Sequence, residues 1–527
     1  MQIDASIVLD ELVHQFADPM AFFRELIQNS IDAGTGDVDI TVEFEPSDDD
    51  EDHGRMTVEI RDFGVGMDRQ IIQDELLELF SSGKDRDLTK IGRFGIGFVS
   101  VFAVEPDAVC VDTSRTGESW RLLFDADRTY ELFERDIPFE GTSVRLFKHV
   151  PAEAFDDFEM RAYEVIYQWC KHVEVPIYFN GEEVHAPFDV DSPCTVEMET
   201  EGTRIVAGLV EQAEASYGYY HSGLTLMESR GGPWPHVSFK LDSRYLEHTL
   251  TRDQIVEDKN FHKALELLEE VVRERLPSRL VTRLEEAVVD DDLELVESLA
   301  GHLLRQPPKS NFWGRDSRLS AEQREKYKLF PTIDGAGKTL EELERAGEVF
   351  WCREVTPMAR RLAQSATVLH SPEETLAALA GDMLGKPIAS VDASFVQVGT
   401  DEVAEQATPL IDALAALLAP ATPAIHSGTF EGAEPATGRA WLGLDSAEGL
   451  HDVREIPPLS VEAARQAKHI VLNRNHGLVE RLGDIAREDP DWAALMLLLL
   501  TCPDATDDDA STDQLVRGAY RRATRER

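Results

Sequence analysis

The chain has 527 residues, 42% of them hydrophobic, and sets 100 acidic side chains against 52 basic ones for a formal charge of −48. That length suits several cores in three or four domains, while the carboxylate surplus disfavours both a dedicated nucleic-acid surface and an anionic membrane face, which need Lys and Arg clusters. Arg outnumbers Lys about three to one, which is compatible with a salt-adapted or GC-rich host. Cys110, Cys170, Cys194, Cys352 and Cys502 are scattered with no CxxC pair, so zinc ribbons and dithiol redox motifs are not expected and a reducing cytoplasm fits best. The opening MQIDASIVLDEL has neither the basic start nor the apolar block of a signal peptide. The apolar run Trp492–Leu500 is far short of the roughly 18 residues of a membrane span. A soluble, cytoplasmic protein without nucleic-acid or membrane partners is expected.

In chain order, apolar periodicity predicts helices over 7–15 and 19–33, then strands in DVDITVEF and RMTVEIRD, with the acidic SDDDEDHG as a solvated hairpin loop. A helix in QIIQDELLELF, a glycine-rich segment and strands DAVCVDT, SWRLLF and TSVRLF complete an α/β sandwich over 1–150. A second α/β region, 151–290, ends in the helical pattern FHKALELLEEVVRERL. Residues 291–400 read as a polar helical connector followed by a small α/β unit, in which strands EVFWC and SATVLH alternate with helices TLEELERA and TPMARRLA. Residues 401–527 read as mainly helical and Ala/Leu-rich, with a Pro/Gly/Thr-rich loop near 421–437. No internal repeat stands out.

Three features of the first hundred residues carry chemistry. In FFRELIQNSIDAG, Glu25, Asn29 and Asp32 fall within a narrow stripe of one helix at about 100° per residue, beside an apolar arc begun by Phe22, Leu26 and Ala33. A carboxylate and a carboxamide so placed can activate water and hold a hard cation; alone, such a stripe is more often the wet margin of an amphipathic helix. In Asp62-Phe63-Gly64-Val65-Gly66-Met67, a carboxylate at a strand end precedes two glycines that permit close backbone approach, although a simple tight turn reads the same way. In Gly92-Arg93-Phe94-Gly95-Ile96-Gly97-Phe98, glycines opening a helix present unpaired N–H groups to an anion. No strand leads directly into this segment, so it is not the dinucleotide fingerprint.

In this order and spacing the three features resemble the motifs of the Bergerat-fold (GHKL) ATPases, with Gly141-Thr142 before a strand as a fourth element. The segments FRELIQNSIDAG, SSGKDRDLTKIGRFGIGFVSVFAV and GTSVRLF are most similar to the 90-kDa heat-shock protein (HtpG-like) chaperone family. LEHTLTRDQIVEDKNFHKALELL resembles that family's middle-domain catalytic loop, with Arg252 at the arginine position and Val256 where the family has a glutamine. HIVLNRNHGLVERLGDIAREDPDWAALMLLLL looks like its C-terminal dimerisation region.

The resemblance implies a Bergerat-fold α/β sandwich ATPase domain over 1–150, a middle α/β domain over 151–290 and a dimerisation region over 401–527. It implies an ATP-dependent chaperone that hydrolyses ATP with Mg²⁺, assists the folding of unfolded or partly folded client proteins under stress, and closes as a homodimeric clamp. Glu25 would be the general base, Asn29 the Mg²⁺ ligand, Asp62 the adenine reader and Arg252 the group that meets the γ-phosphate. Asp32, Gly64, Gly66, Met67, Gly92, Phe94, Gly95, Ile96, Gly97, Phe98 and Thr142 would complete the ATP site. Lys84 in the lid is one residue out of the family's spacing, and Arg93 stands where the family usually has glutamine. A sacsin-like or MutL-like ATPase in defence or repair is the alternative, since IGRFGIGFVSVFAV would suit a sacsin-type lid nearly as well. Gly335-Ala336-Gly337-Lys338-Thr339 mimics the end of a P-loop, but Thr332 stands where the phosphate cradle needs glycine, so a turn is expected there.

Overall fold

The computed structural model describes residues 13, 18–48, 50–77, 80, 97–136, 140–247, 255–305, 319–401, 408–507, 513, 516–517 and 520–521. The chain divides into two units, Met1–Pro277 and Ser278–Arg527.

The described elements of the first unit include helix α1 (Ala21–Asp32) and the hairpin β1 (Val38–Ser47)/β2 (Asp50–Asp62). The strands β3 (Ala108–Arg115), β4 (Glu118–Asp125), β5 (Tyr130–Glu134) and β6 (Gly141–Pro151) follow, then helix α2 (Ala152–Cys170), β7 (Ile177–Phe179) and β8 (Glu182–Glu183). These strands form one sheet in the order β5-β4-β3-β6-β2-β1-β7-β8. Alternation fixes its buried face: Val38, Ile40 and Val42 on β1, Met56, Val58 and Ile60 on β2, and Val109 and Val111 on β3 all point into the core that α1 and α2 cover. The acidic stretch expected as a loop is mostly strand: β2 begins at Asp50, and Ser47 already pairs with it across a register shift. Likewise the sheet does not stop near 150, because β7 pairs parallel with β1, Val38 against Ile177.

A second, five-stranded sheet in the same unit runs β12-β11-β13-β10-β9, built from β9 (Thr195–Thr200), β10 (Thr203–Leu209), β11 (Ser216–His221), β12 (Leu224–Arg230) and β13 (Val237–Ser243). The helix Lys259–Glu270 follows and runs on through a π-helical turn, Val271–Arg275.

In the second unit the helix Leu293–Leu304, expected to be polar, buries Val296, Leu299, Ala300 and Leu303. Its buried Glu297 accepts from Ser371 Oγ at 2.6 Å and Leu376 N at 2.8 Å, so even its carboxylate is consumed by packing. The P-loop mimic lies in a hairpin, β14 (Phe330–Pro331) against β15 (Gly337–Lys338). Thr339 there caps the helix Leu340–Arg345 in a capping box with Glu342. Strands β16 (Val349–Cys352), β17 (Thr367–His370) and β18 (Ala389–Ser390) form a small parallel sheet.

Over 401–527, helices Thr408–Leu418, Gly477–Ile485 and Pro490–Thr501 share one core. A five-stranded sheet accompanies them, however, in the order β21-β23-β20-β19-β22. Its strands are β19 (Phe395–Thr400), β20 (Ala424–Gly432), β21 (Trp441–Leu444), β22 (Gly449–Asp452) and β23 (His469–Asn473). The segment expected as a Pro/Gly/Thr-rich loop is therefore strand β20, and β19 joins this sheet from the other side of the expected boundary at 400.

Candidate functional site

A cavity of about 280 Å³ lies between α1 and the buried face of the first sheet, near the lower end of small-molecule sites, roughly 300–1,000 Å³. Ile60, Val111 and Val144 supply apolar lining, and Leu26, Asn29, Ser30 and Asp32 line it from α1. The loop after β2 adds Val65, Gly66 and Met67, while Phe98 and Thr142 complete the lining relevant here.

Asp62, the last residue of β2, is 7% exposed. Its Oδ1 accepts Gly64 N–H at 2.9 Å and its Oδ2 accepts Ser30 Oγ–H at 3.2 Å. Burial pushes its pKa above the usual 3.8, and the hydrogen bonds from Gly64, Ser30 and the Thr142 backbone partly offset this. The glycines after it are sterically required. A Cβ on Gly66 (φ +62°) would lie 2.1 Å from the Ser114 carbonyl oxygen, and one on Gly64 would lie 2.7 Å from that of Ala33. Met67 N–H donates to Thr113 Oγ1 at 2.8 Å, and Thr113 Oγ1 sits 3.1 Å from Thr142 Oγ1. The pairing of β6 with both β2 and β3 sets Thr142 opposite Asp62 and Thr113.

Glu25 is 4% exposed, so it is no wet margin of an amphipathic helix. Its Oε2 lies 2.7 Å from where a Cβ on Gly97 would stand, which puts the carboxylate against the backbone that opens the next helical turn. The structure thus brings Asn29, Asp32, Asp62, Gly66, Met67, Phe98 and Thr142 to one cavity, with Gly64 held against Ala33 and Glu25 against Gly97. Lys84, Gly92, Arg93, Phe94, Gly95, Ile96 and Arg252 lie outside the described residues. Val256 is described and 36% exposed, its N–H donating to the Glu247 carbonyl at 2.8 Å.

Sequence reasoning missed Ser30, Thr113, Glu75 and Arg115. Ser30 follows Leu26 by one helical turn, and Thr113 is the polar member of the alternation Val109-Val111-Thr113; both positions are readable signals. Glu75 and Arg115 line the cavity and carried no such signal.

The donor set suits a small hard cation held jointly with phosphates. Asn29 offers a carboxamide oxygen on the cavity wall with Asp32 three residues on, and among the described residues no group of three His, Cys, Asp or Glu forms a protein cage.

Comparison with known proteins agrees with this geometry. Residues 21–149 match the family described as histidine kinase-, DNA gyrase B-, and HSP90-like ATPase. The chaperone protein HtpG of Rhodospirillum rubrum is 30% identical over 215 residues, 34% of this chain and 33% of that protein. The HtpG proteins of Anaplasma phagocytophilum and Alcanivorax borkumensis are each 31% identical, over 35% and 33% of this chain and 32% of their own lengths. The chain spans about a third of the length of the curated relatives it matches. Among the described residues no helix is long and apolar enough to cross a membrane. Through residues 21–149 the chain carries a domain of the histidine kinase-, DNA gyrase B- and HSP90-like ATPase family, with HtpG chaperones among its relatives.

Proposed function

We propose that this protein is an ATP-hydrolysing molecular chaperone of the 90-kDa heat-shock type, acting in the cytoplasm as a homodimer on unfolded or partly folded clients. The observation that carries this reading is the buried Asp62 carboxylate beside the cavity, with Asn29 and Glu25 on the adjoining helix. Asp62 accepts a hydrogen bond from the exocyclic amino group of adenine, while Ser30 and Gly64 hold it in place. Asn29, with the phosphates, would hold Mg²⁺, which when bound neutralises phosphate charge. Glu25 orients the attacking water and takes its proton, a role that contributes typically 10²–10⁴-fold, or about 3–5 kcal/mol. Arg252 stabilises charge developing on the γ-phosphate as the domains close, and Lys84 with the segment Gly92–Phe98 closes over the phosphates. The expected domain limits, 1–150, 151–290, 291–400 and 401–527, belong to this proposal, with the first domain's sheet carried past 150 by β7 and β8 and the last region's sheet begun before 401 by β19.

The acidity of the chain and its HtpG relatives favour this reading over a repair or defence ATPase. The test is ATP hydrolysis by the purified protein at low and high salt, with and without an aggregation-prone client. Turnover together with suppressed client aggregation supports the proposal, and the absence of turnover at every salt concentration rejects it.

A further inference from the structure

The second sheet of the first unit bears its own cavity, about 660 Å³, which shares no lining residue with the nucleotide cavity. Lys240 lines it from the middle of β13, opposite Val206 of β10 and Gly218 of β11. Its Nζ is 3.0 Å from His172 Nε2, and His172 Nδ1 is 2.9 Å from the Ala186 carbonyl oxygen. Only a protonated Nδ1 can donate to that carbonyl, so Nε2 carries a lone pair aimed at Lys240.

The neighbouring charges are already committed. Lys171 Nζ lies 2.8 Å from Glu228, whose other oxygen accepts the Tyr220 phenol at 2.6 Å. That phenol lies across Gly218, where a Cβ would stand 2.3 Å from it. Among the described residues no carboxylate reaches ion-pair distance of Lys240, and the Phe188 ring lies 5.8 Å from its Nζ. Burial lowers the Lys240 pKa; among the charges, Glu228 raises it more than Lys171 lowers it, and Asp189 raises it as well. Burial also holds His172 down at about 4, so its imidazole is neutral at pH 7. Asp191, Glu214 and Arg230 line the rest of the cavity.

Partial desolvation of an accessible amine is one way proteins make a lysine nucleophilic near neutral pH. We propose that this cavity captures small carbonyl compounds covalently, with Lys240 as the nucleophile and His172 relaying its proton. The Nζ lone pair of the neutral amine forms a C–N bond to the carbonyl carbon, and the C=O π pair moves to oxygen. His172 Nε2 takes a proton from nitrogen and passes it to that oxygen, giving a carbinolamine. Loss of the hydroxyl as water, with a second proton from nitrogen, leaves the imine, and no oxidant or reductant takes part.

The test is reductive methylation of the full chain with limiting formaldehyde and cyanoborohydride at pH 7, read site by site by peptide mass spectrometry. Lys259 and Lys263, both exposed, serve as internal references. Lys240 is expected to label several-fold faster than either, because its lowered pKa leaves more of it as the free amine at pH 7. Lys171→Gln should move the Lys240 labelling profile to higher pH, and His172→Gln should slow Lys240 several-fold without changing Lys259. Circular dichroism checks the fold of both variants, and the wild-type ratio stands without them. Labelling of Lys240 no faster than Lys259, or a profile that a folded Lys171→Gln leaves in place, overturns the proposal. Its failure would leave the nucleotide site untouched, because the two share no residue.

Discussion

A carboxylate set among apolar strands is costly unless something donates to it, and Asp62 receives Gly64 N–H and Ser30 Oγ–H while keeping lone pairs for a ligand. Asp62→Asn preserves shape but removes the charge-assisted acceptor, so ATP affinity should fall by about 1.5–3 kcal/mol, roughly ten- to a hundredfold, in calorimetry. Undiminished affinity would refute its role. The pKa of Asp62 is raised, chiefly by burial, and the accepting form is the ionised one. ATP affinity should therefore weaken as pH falls through that raised value, sooner than an ordinary carboxylate at 3.8 would allow, and the asparagine variant should lack this component. Glu25 stands apart from the cavity lining, against Gly97, so Glu25→Ala should bind ATP with near wild-type affinity and lose most of its turnover. Turnover within a few-fold of wild type would reduce Glu25 to a packed helix residue.

At the level of elements, the turn after β2 is fixed by sterics that separate two glycines of similar backbone. Gly34 (φ +74°) would meet nothing within 4 Å if given a Cβ, whereas Gly66 (φ +62°) would press on the Ser114 carbonyl at 2.1 Å. Gly34→Ala should cost only the left-handed strain, about 1–2 kcal/mol. Gly66→Ala must also shift β3 or the turn, so its melting temperature should fall further and its ATP affinity with it. Equal melting temperatures for the two variants would contradict this geometry. The helix stripe, the strand that ends in Asp62 and strands β1, β3, β4 and β6 of the first sheet were legible because each carries a period of 3.6 or 2, whereas the short β5, β7 and β8 were not expected. Strand β20 was not: AIHSGTFEG contains turn-forming Ser, Thr and Gly, and it is a strand because β19 and β23 pair on either side of it. Ser30 stands at a readable position, one helical turn after Leu26, but its hydrogen bond to Asp62 joins residues 32 positions apart, which helical spacing alone does not encode.

For the whole molecule, the resemblance of the last helices to a dimerisation region implied a homodimer, and the burial of those helices decides which substitutions test it. In the helix Pro490–Thr501, Ala493, Ala494, Leu495, Leu497 and Leu498 are buried in the core of their own unit. What remains outward is Trp492 at 52% and Leu500 at 59% exposed, with Ile485 of the preceding helix at 44%. A stable dimer buries roughly 1,200–2,000 Å² in total, so in the proposed dimer these side chains would be anchors within a larger face rather than the whole of it. Truncating the chain before Ser460 would be a poor test. It removes β23, which lies inside its sheet between β20 and β21, and the remaining strands would lose their pairing. The double substitution Trp492→Glu with Leu500→Glu spares that core. Light scattering at micromolar concentration should show a dimer for the wild type and a monomer for this variant, with circular dichroism unchanged. Turnover should fall in the monomer, because closure of two nucleotide domains then depends on encounter in solution rather than on a shared tether. A monomeric wild type would reject the dimer and the clamp built on it, and a variant that stays dimeric would move the interface to another face.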